Sequence, residues 1–214
     1  MPNNLEQQIK KCLRESQTLT NDLMNLLANF QASTSQPTTL ILDTFHDANG
    51  TNLSAHTPNQ SPMGSSWQRL VGEFDINSNV LTSAQSNNSY QIDSGQSYVT
   101  IAVDVDLSTG DTEVDLYGAA TVNGSTYMQA YIQVAAGIIT LTNTGTTVAT
   151  ASHTFSNGPQ TWSFVISATG LEFQIDGTTI VSYSGSIPST GTYTALQTAG
   201  TAVSTFSQFL VTQP

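Results

Sequence analysis

The segment YVTIAVDVDL (98–107) alternates strictly, with Val99, Ile101, Val103 and Val105 on one side of the chain. A period of two belongs to a β-strand with one buried face. The pattern returns in YMQAYIQV (127–134), GIITLT (137–142), TWSFVIS (161–167), LEFQID (171–176) and TIVSYS (179–184). Between these runs stand Asn123-Gly124, Thr144-Gly145, Thr169-Gly170 and Asp176-Gly177. Asn-Gly and Asp-Gly supply the two positive-φ positions of a type I′ hairpin turn. About a dozen locally connected antiparallel strands within residues 39–214 predict a mainly β, two-sheet jelly-roll sandwich in one domain.

Residues 5–30, LEQQIKKCLRESQTLTNDLMNLLANF, obey another period. Leu5, Ile9, Cys12, Leu19, Leu23, Leu26 and Phe30 follow steps of four and three, with Ser16 filling the one gap. Leu5, Cys12, Leu19 and Leu26 fall at heptad position d, and Ile9, Ser16, Leu23 and Phe30 at a. The spacing predicts an N-terminal coiled-coil helix over 1–30, a linker over 31–38 and a sandwich over 39–214. A helix of this length is marginal alone in water, so it needs a partner. Leucine at three of the four d positions with mixed a positions leaves dimer and trimer open; a homotrimer is the expectation. Docking into a larger assembly would serve the same seam. Cys12, the single cysteine, reads as a small core residue of that seam.

Charge narrows the function classes. The net charge is −11 with only 9% charged residues. Three of the four Lys and Arg lie before residue 38, which leaves Arg69 against twelve carboxylates in the rest. Phosphate binding requires clustered Lys and Arg, so nucleic acid and anionic lipid are excluded as partners of the sandwich. No stretch has the length of a membrane span. The N-terminus has no basic region leading into an apolar run, and synthesis in a cytoplasm is expected.

The opening DTFHDANGTNLSAHTP (43–58) with SSWQRLVGEFDINSNVLT (65–82), and the ending LEFQIDGTTIVSYSGSIPSTGTYTAL (171–196) with TFSQFLVTQ (205–213), resemble concanavalin-A-like, laminin-G-type jelly-roll domains. Those domains begin with an Asp-x-Phe strand, a Gly-Thr-x-Leu turn and a nearby Trp, and end on an Asp-Gly hairpin and a Phe-x-x-Phe-x-Val strand. The resemblance implies the fold; for function it admits lectins, glycosidases and structural modules alike. It also implies a setting, because such domains are frequent in phage virion proteins behind a short N-terminal helix. The expected function is therefore a non-enzymatic bacteriophage virion protein, a capsid decoration (cement or head-fibre) protein that self-associates through its helix and contacts the major capsid protein. The alternative is a carbohydrate-binding module or lectin-like tail-fibre protein that takes cell-surface glycans.

Three stretches are candidates for chemistry. In TEVDLYG (112–118), Glu113 and Asp115 match the first two carboxylates of the Glu-x-Asp-x-Glu strand of laminarinase-like glycosidases. Tyr117 stands where the resemblance requires the general acid, and retaining hydrolysis needs that acid. No catalytic residue is therefore expected, and the strand reads as one with solvated carboxylates. HDANGTN (46–52) places Asp47, Asn49 and Thr51 at alternate positions like a calcium loop, but Pro58 occupies the twelfth position, where an EF-hand carries Glu. An Asx turn accounts for the stretch; no cofactor is expected, with Asp47 and Asn49 the candidates if Ca²⁺ binds. His46, His56 and His153 read as turn or surface residues. Trp162, in a strand with Phe164 and Ile166, reads as core. Trp67, in a loop-rich stretch, is the better surface candidate for a sugar, although the core reading is the favoured one for it too, and no sugar site is identified.

Overall fold

The structure, a computed structural model, describes residues 4–34, 37–83, 87–107, 112–122, 124–200 and 204–213. The chain divides into two compact units, 1–37 and 38–214. The first is helix α1, Asn4–Thr34. It continues past residue 30 into the stretch read as linker, because nothing from 31 to 34 breaks a helix. Pro37 then disfavours the α conformation at the residue before it. Side chains are described from 7 to 24, and all are exposed. Ile9, Leu13, Leu19 and Leu23 leave 52–71% of their surface in solvent. The side chains of Leu5, Leu26 and Phe30 lie outside the described residues.

The second unit contains sixteen strands among the described residues. They are β1 (Thr38–Asp43), β2 (Thr51–Asn52), β3 (Gln68–Val71), β4 (Phe74–Asn77), β5 (Val80–Ser83), β6 (Asn87–Asp93), β7 (Thr100–Leu107) and β8 (Thr112–Ala120), followed by β9 (Met128–Gln133), β10 (Ile138–Asn143), β11 (Thr146–Ser152), β12 (Gly158–Ser167), β13 (Gly170–Ile175), β14 (Thr178–Ser184), β15 (Tyr193–Gly200) and β16 (Thr205–Gln213). Nine form one antiparallel sheet in the order β14-β13-β12-β7-β16-β5-β4-β2, with β1 also on β16. Seven form the other, β11-β10-β9-β8-β15-β6-β3. The Asp176-Gly177 turn has φ of 49° and 75°, as the sequence requires. Asn123 of the other expected turn lies outside the described residues.

The inward residues of the two sheets form one core. Ile101, Val103, Trp162, Phe164, Phe173 and Phe209 of the larger sheet meet Val114, Leu116, Ala130, Ile132, Leu141 and Leu196 of the smaller one. The sheets approach closely at Gly118, where a Cβ would stand 2.4 Å from Ile166 Cδ1. Alternation along β8 therefore buries Val114, Leu116 and Gly118 and turns Glu113, Asp115 and Tyr117 to the outer face.

Candidate functional site

Register across the smaller sheet arranges its outer residues in rows. One row runs Gln91–Ala195–Tyr117–Gln129–Thr142 across β6, β15, β8, β9 and β10. The next runs Ser89–Gln197–Asp115–Tyr131–Thr140. Adjacent strands lie about 4.8 Å apart, so the five strands make a band roughly 20 Å across. Amides, phenols, hydroxyls and carboxyls fill most of it.

Side-chain hydrogen bonds knit the band together. Gln129 Nε2 donates to Asp115 Oδ1 at 2.9 Å and to the Tyr117 hydroxyl at 3.1 Å. Thr142 donates to Gln129 Oε1 at 3.1 Å. The Tyr131 hydroxyl donates to Glu113 Oε1 at 2.7 Å, and Gln133 Nε2 reaches the same oxygen at 3.3 Å. Asp115 is 3% exposed, which corrects the reading of this strand as one of solvated carboxylates: the neighbouring long side chains cover it. Burial, reinforced by the charge of Glu113, pushes its carboxyl up to about 7 against the opposing bonds from Gln129 and Tyr117. Burial, with the bond to Glu113, pushes the Tyr131 phenol up to about 12, and burial with the charge of Asp115 holds Tyr117 higher still. Both phenols keep their protons and remain donors.

A hollow of about 180 Å³ opens at one end of the band, lined by Leu70, Gln91, Tyr117, Tyr127, Ala195 and Gln197 among others. Tyr117 and Tyr127 meet edge to face with ring centroids 5.2 Å apart. A β-bulge shapes the floor: β15 and β8 shift register between Tyr193 and Ala195, and Ala119 takes φ of 49°. Thr190 Oγ1 secures the Ala119 carbonyl at 2.9 Å. The hollow pairs aromatic surface with planar amides and small apolar residues, the composition of a small-ligand site.

The other candidates lie elsewhere. Trp67 is 2% exposed, so the core reading holds and its candidacy as a surface aromatic for a sugar is corrected. Its ring packs edge to face on Phe209, and Nε1 donates to Asp43 Oδ2 at 2.7 Å. Asp43 Oδ1 also accepts from the Phe45 backbone N–H at 2.8 Å, and it faces His56 Nε2 at 2.8 Å. His56 is only 5% exposed, against its reading as a turn or surface residue. Its Nδ1 faces Asp47 Oδ2 at 3.1 Å. The hydrogen bond with His56 and that from the Ala48 N–H hold the Asp47 carboxyl below its ordinary value. Asn49 Oδ1 accepts from the Ser78 N–H at 2.7 Å. Asp47 and Asn49 thus tie the loop to its neighbours, and among the described residues no group of three or more His, Cys, Asp or Glu is arranged to hold a metal ion. Trp162 is buried, as expected. No described helix is long and apolar enough to cross a membrane.

Sequence reasoning found Glu113, Asp115 and Tyr117 but not the partners that make them a face. Gln91, Gln129 and Gln197 lie far apart in the chain, and only strand order brings them together. Their place as outward residues in alternating segments was the one signal available.

No protein-family model matches the chain, and no curated protein resembles it in sequence. Solved structures share its fold. The carbohydrate-binding module CBM66 from Bacillus subtilis superposes with a TM-score of 0.56 at 10% identity, over 69% of this chain and 95% of that one. A Bacillus subtilis protein of unknown function with a galectin-like fold gives 0.61 at 9% identity, over 82% and 96%. The laminarinase from Rhodothermus marinus gives 0.58 at 11% identity, over 83% and 98%. The sandwich is thus a jelly roll of the concanavalin-A-like and galectin-like type, an architecture shared by carbohydrate-binding modules and glycosidases.

Proposed function

We propose that the sandwich is a non-catalytic glycan-binding module whose ligand lies on the outer face of the seven-stranded sheet. The observation that carries this reading is the joining of Tyr117 and Tyr127 to Gln91 and Gln197 around one hollow. A pyranose has apolar C–H faces and a rim of hydroxyls. Tyrosine rings accept the faces, while planar amides donate to and accept from the rim. Tyr117 supports the non-catalytic half of the proposal. A phenol held above its ordinary value cannot stand in for a carboxylic acid as proton donor to a leaving group. The fold shared with a carbohydrate-binding module is in keeping with the proposal.

The test is a glycan array probed with the full chain and with Tyr127→Ala, alongside an assay for reducing ends released from the same glycans. Binding lost in the variant without any release of ends supports the reading. Release of reducing ends, or binding indifferent to Tyr127, counts against it.

The exposed apolar row on α1 favours a second, compatible reading, a bacteriophage capsid decoration protein assembled through its helix. Gathering copies would also turn weak glycan sites into an avid surface. A fixed copy number of the chain in purified particles would support this setting, and its absence from particles would remove it.

A further inference from the structure

We infer that the hollow beside Tyr117 and Tyr127 is a subsite for an acetamido group, so that the face prefers 2-acetamido sugars to their 2-hydroxyl counterparts. This rests on the glycan-binding reading and adds to it the substituent that the site reads.

Unspent polar atoms are the first argument. Gln91 is 3% exposed and Ser89 4%, yet both line the hollow. The Gln91 amide gives its Nε2 to Gln68 Oε1 at 3.0 Å, which leaves Oε1 without a partner in the protein. Ser89 Oγ has none either. Among the described residues, the only fully enclosed side-chain polar atom without a partner is Ser204 Oγ. The unpaired atoms of Gln91 and Ser89 therefore open to the hollow that they line. Gln197 accepts from the Tyr117 hydroxyl at 3.4 Å through Oε1, and its Nε2 is likewise unspent. The hollow thus offers one acceptor, Gln91 Oε1, beside donors at Gln197 Nε2 and Ser89 Oγ. An unpaired polar group in so buried a place costs free energy that a matching ligand recovers.

Shape is the second argument. Register sets Ala195 of β15 directly between Gln91 of β6 and Tyr117 of β8. Its single methyl floors the hollow between two long side chains, and Ala120 and Leu70 add apolar surface. None of the described residues lining the hollow is charged. Its volume of about 180 Å³ falls below the roughly 300–1,000 Å³ of pockets for drug-sized ligands, so it takes one sugar residue with its substituent. An acetamido group brings an N–H for Gln91 Oε1, a carbonyl for Gln197 Nε2 or Ser89 Oγ, and a methyl for Ala195, Ala120 and Leu70. A hydroxyl on the same carbon pairs with the polar atoms but carries nothing to cover the alanines.

The test is an array that sets oligosaccharides of N-acetylglucosamine and N-acetylgalactosamine beside those of glucose and galactose, probed with the full chain. The acetamido member of a pair should bind roughly tenfold tighter, the size expected for one hydrogen bond and one buried methyl. Gln91→Leu, checked for its β-sheet circular dichroism, should lose that preference. Leu70 is 46% exposed, so Leu70→Ala keeps the fold and should cut the preference about threefold; it serves as the variant if Gln91→Leu does not fold. In the complex, the acetyl methyl protons should show nuclear Overhauser contacts to the Ala195 methyl. Equal binding of the paired sugars, hits confined to the hydroxyl members, or a preference unchanged in the variants overturns the inference and leaves the glycan reading standing. Absence of any hit overturns the glycan reading and this inference with it.

Discussion

Asp43 has no exposed surface, yet the indole of Trp67, the Phe45 N–H and the His56 ring all converge on its carboxylate. Breaking such a buried cluster from one side leaves its other members unpaired. Asp43→Ala should lower unfolding stability by about 3–5 kcal/mol in urea titrations, with loss of the native tryptophan fluorescence signal. The cluster also shows where reading the sequence stops. Asp43, Phe45 and Trp67 were legible as an opening motif, but a Trp beside loop residues gives no sign of whether its N–H has a buried acceptor. His56 had no visible partner because Asp43 and Asp47 reach it only once the loop is folded. Asp115 carries a second prediction, with the sign set by its raised folded value. Below about pH 4 both states hold the proton; between there and about 7 only the folded state does. Ionising it at higher pH works against folding, so stability should decline as pH rises across that window, by on the order of 4 kcal/mol. Comparing parent and Asp115→Asn by urea unfolding at several pH values isolates this slope, which the variant should lack.

At the scale of elements, the sandwich and the helix were legible for different reasons. Long strands such as β7 and β12 announce themselves by alternation, and the Asp176-Gly177 turn by its residues. β2, with two residues, and β3, with four exposed ones, carry no period at all, and such segments raise the count from the expected dozen to sixteen. The helix was legible through its heptads, but its end was not, since no breaker stands before Pro37. The exposed Ile9, Cys12, Leu19 and Leu23 are proposed as a seam for further copies of the chain. Light scattering on the full chain should give a multiple of the monomer mass, three by the expectation above. A chain beginning at Thr38 should be monomeric and keep its β-sheet circular dichroism. Leu19→Asp with Leu23→Asp should give the monomer without unfolding the sandwich. A monomeric full chain would assign the seam to a different protein.

For the whole molecule, twelve carboxylates and one arginine on the β-unit repel anionic partners and leave neutral or cationic ones as those its surface can approach. The jelly roll was within reach of the sequence; the face was not, because its rows combine residues from β6 to β15, over a hundred positions apart. The claim that this face holds a glycan is tested most directly by an amide ¹H–¹⁵N titration of the full chain with a pool of neutral oligosaccharides. The account predicts saturable shifts concentrated at Gln91, Tyr117, Tyr127, Gln129 and Gln197. Shifts confined to the nine-stranded sheet, or none at millimolar sugar, would contradict it.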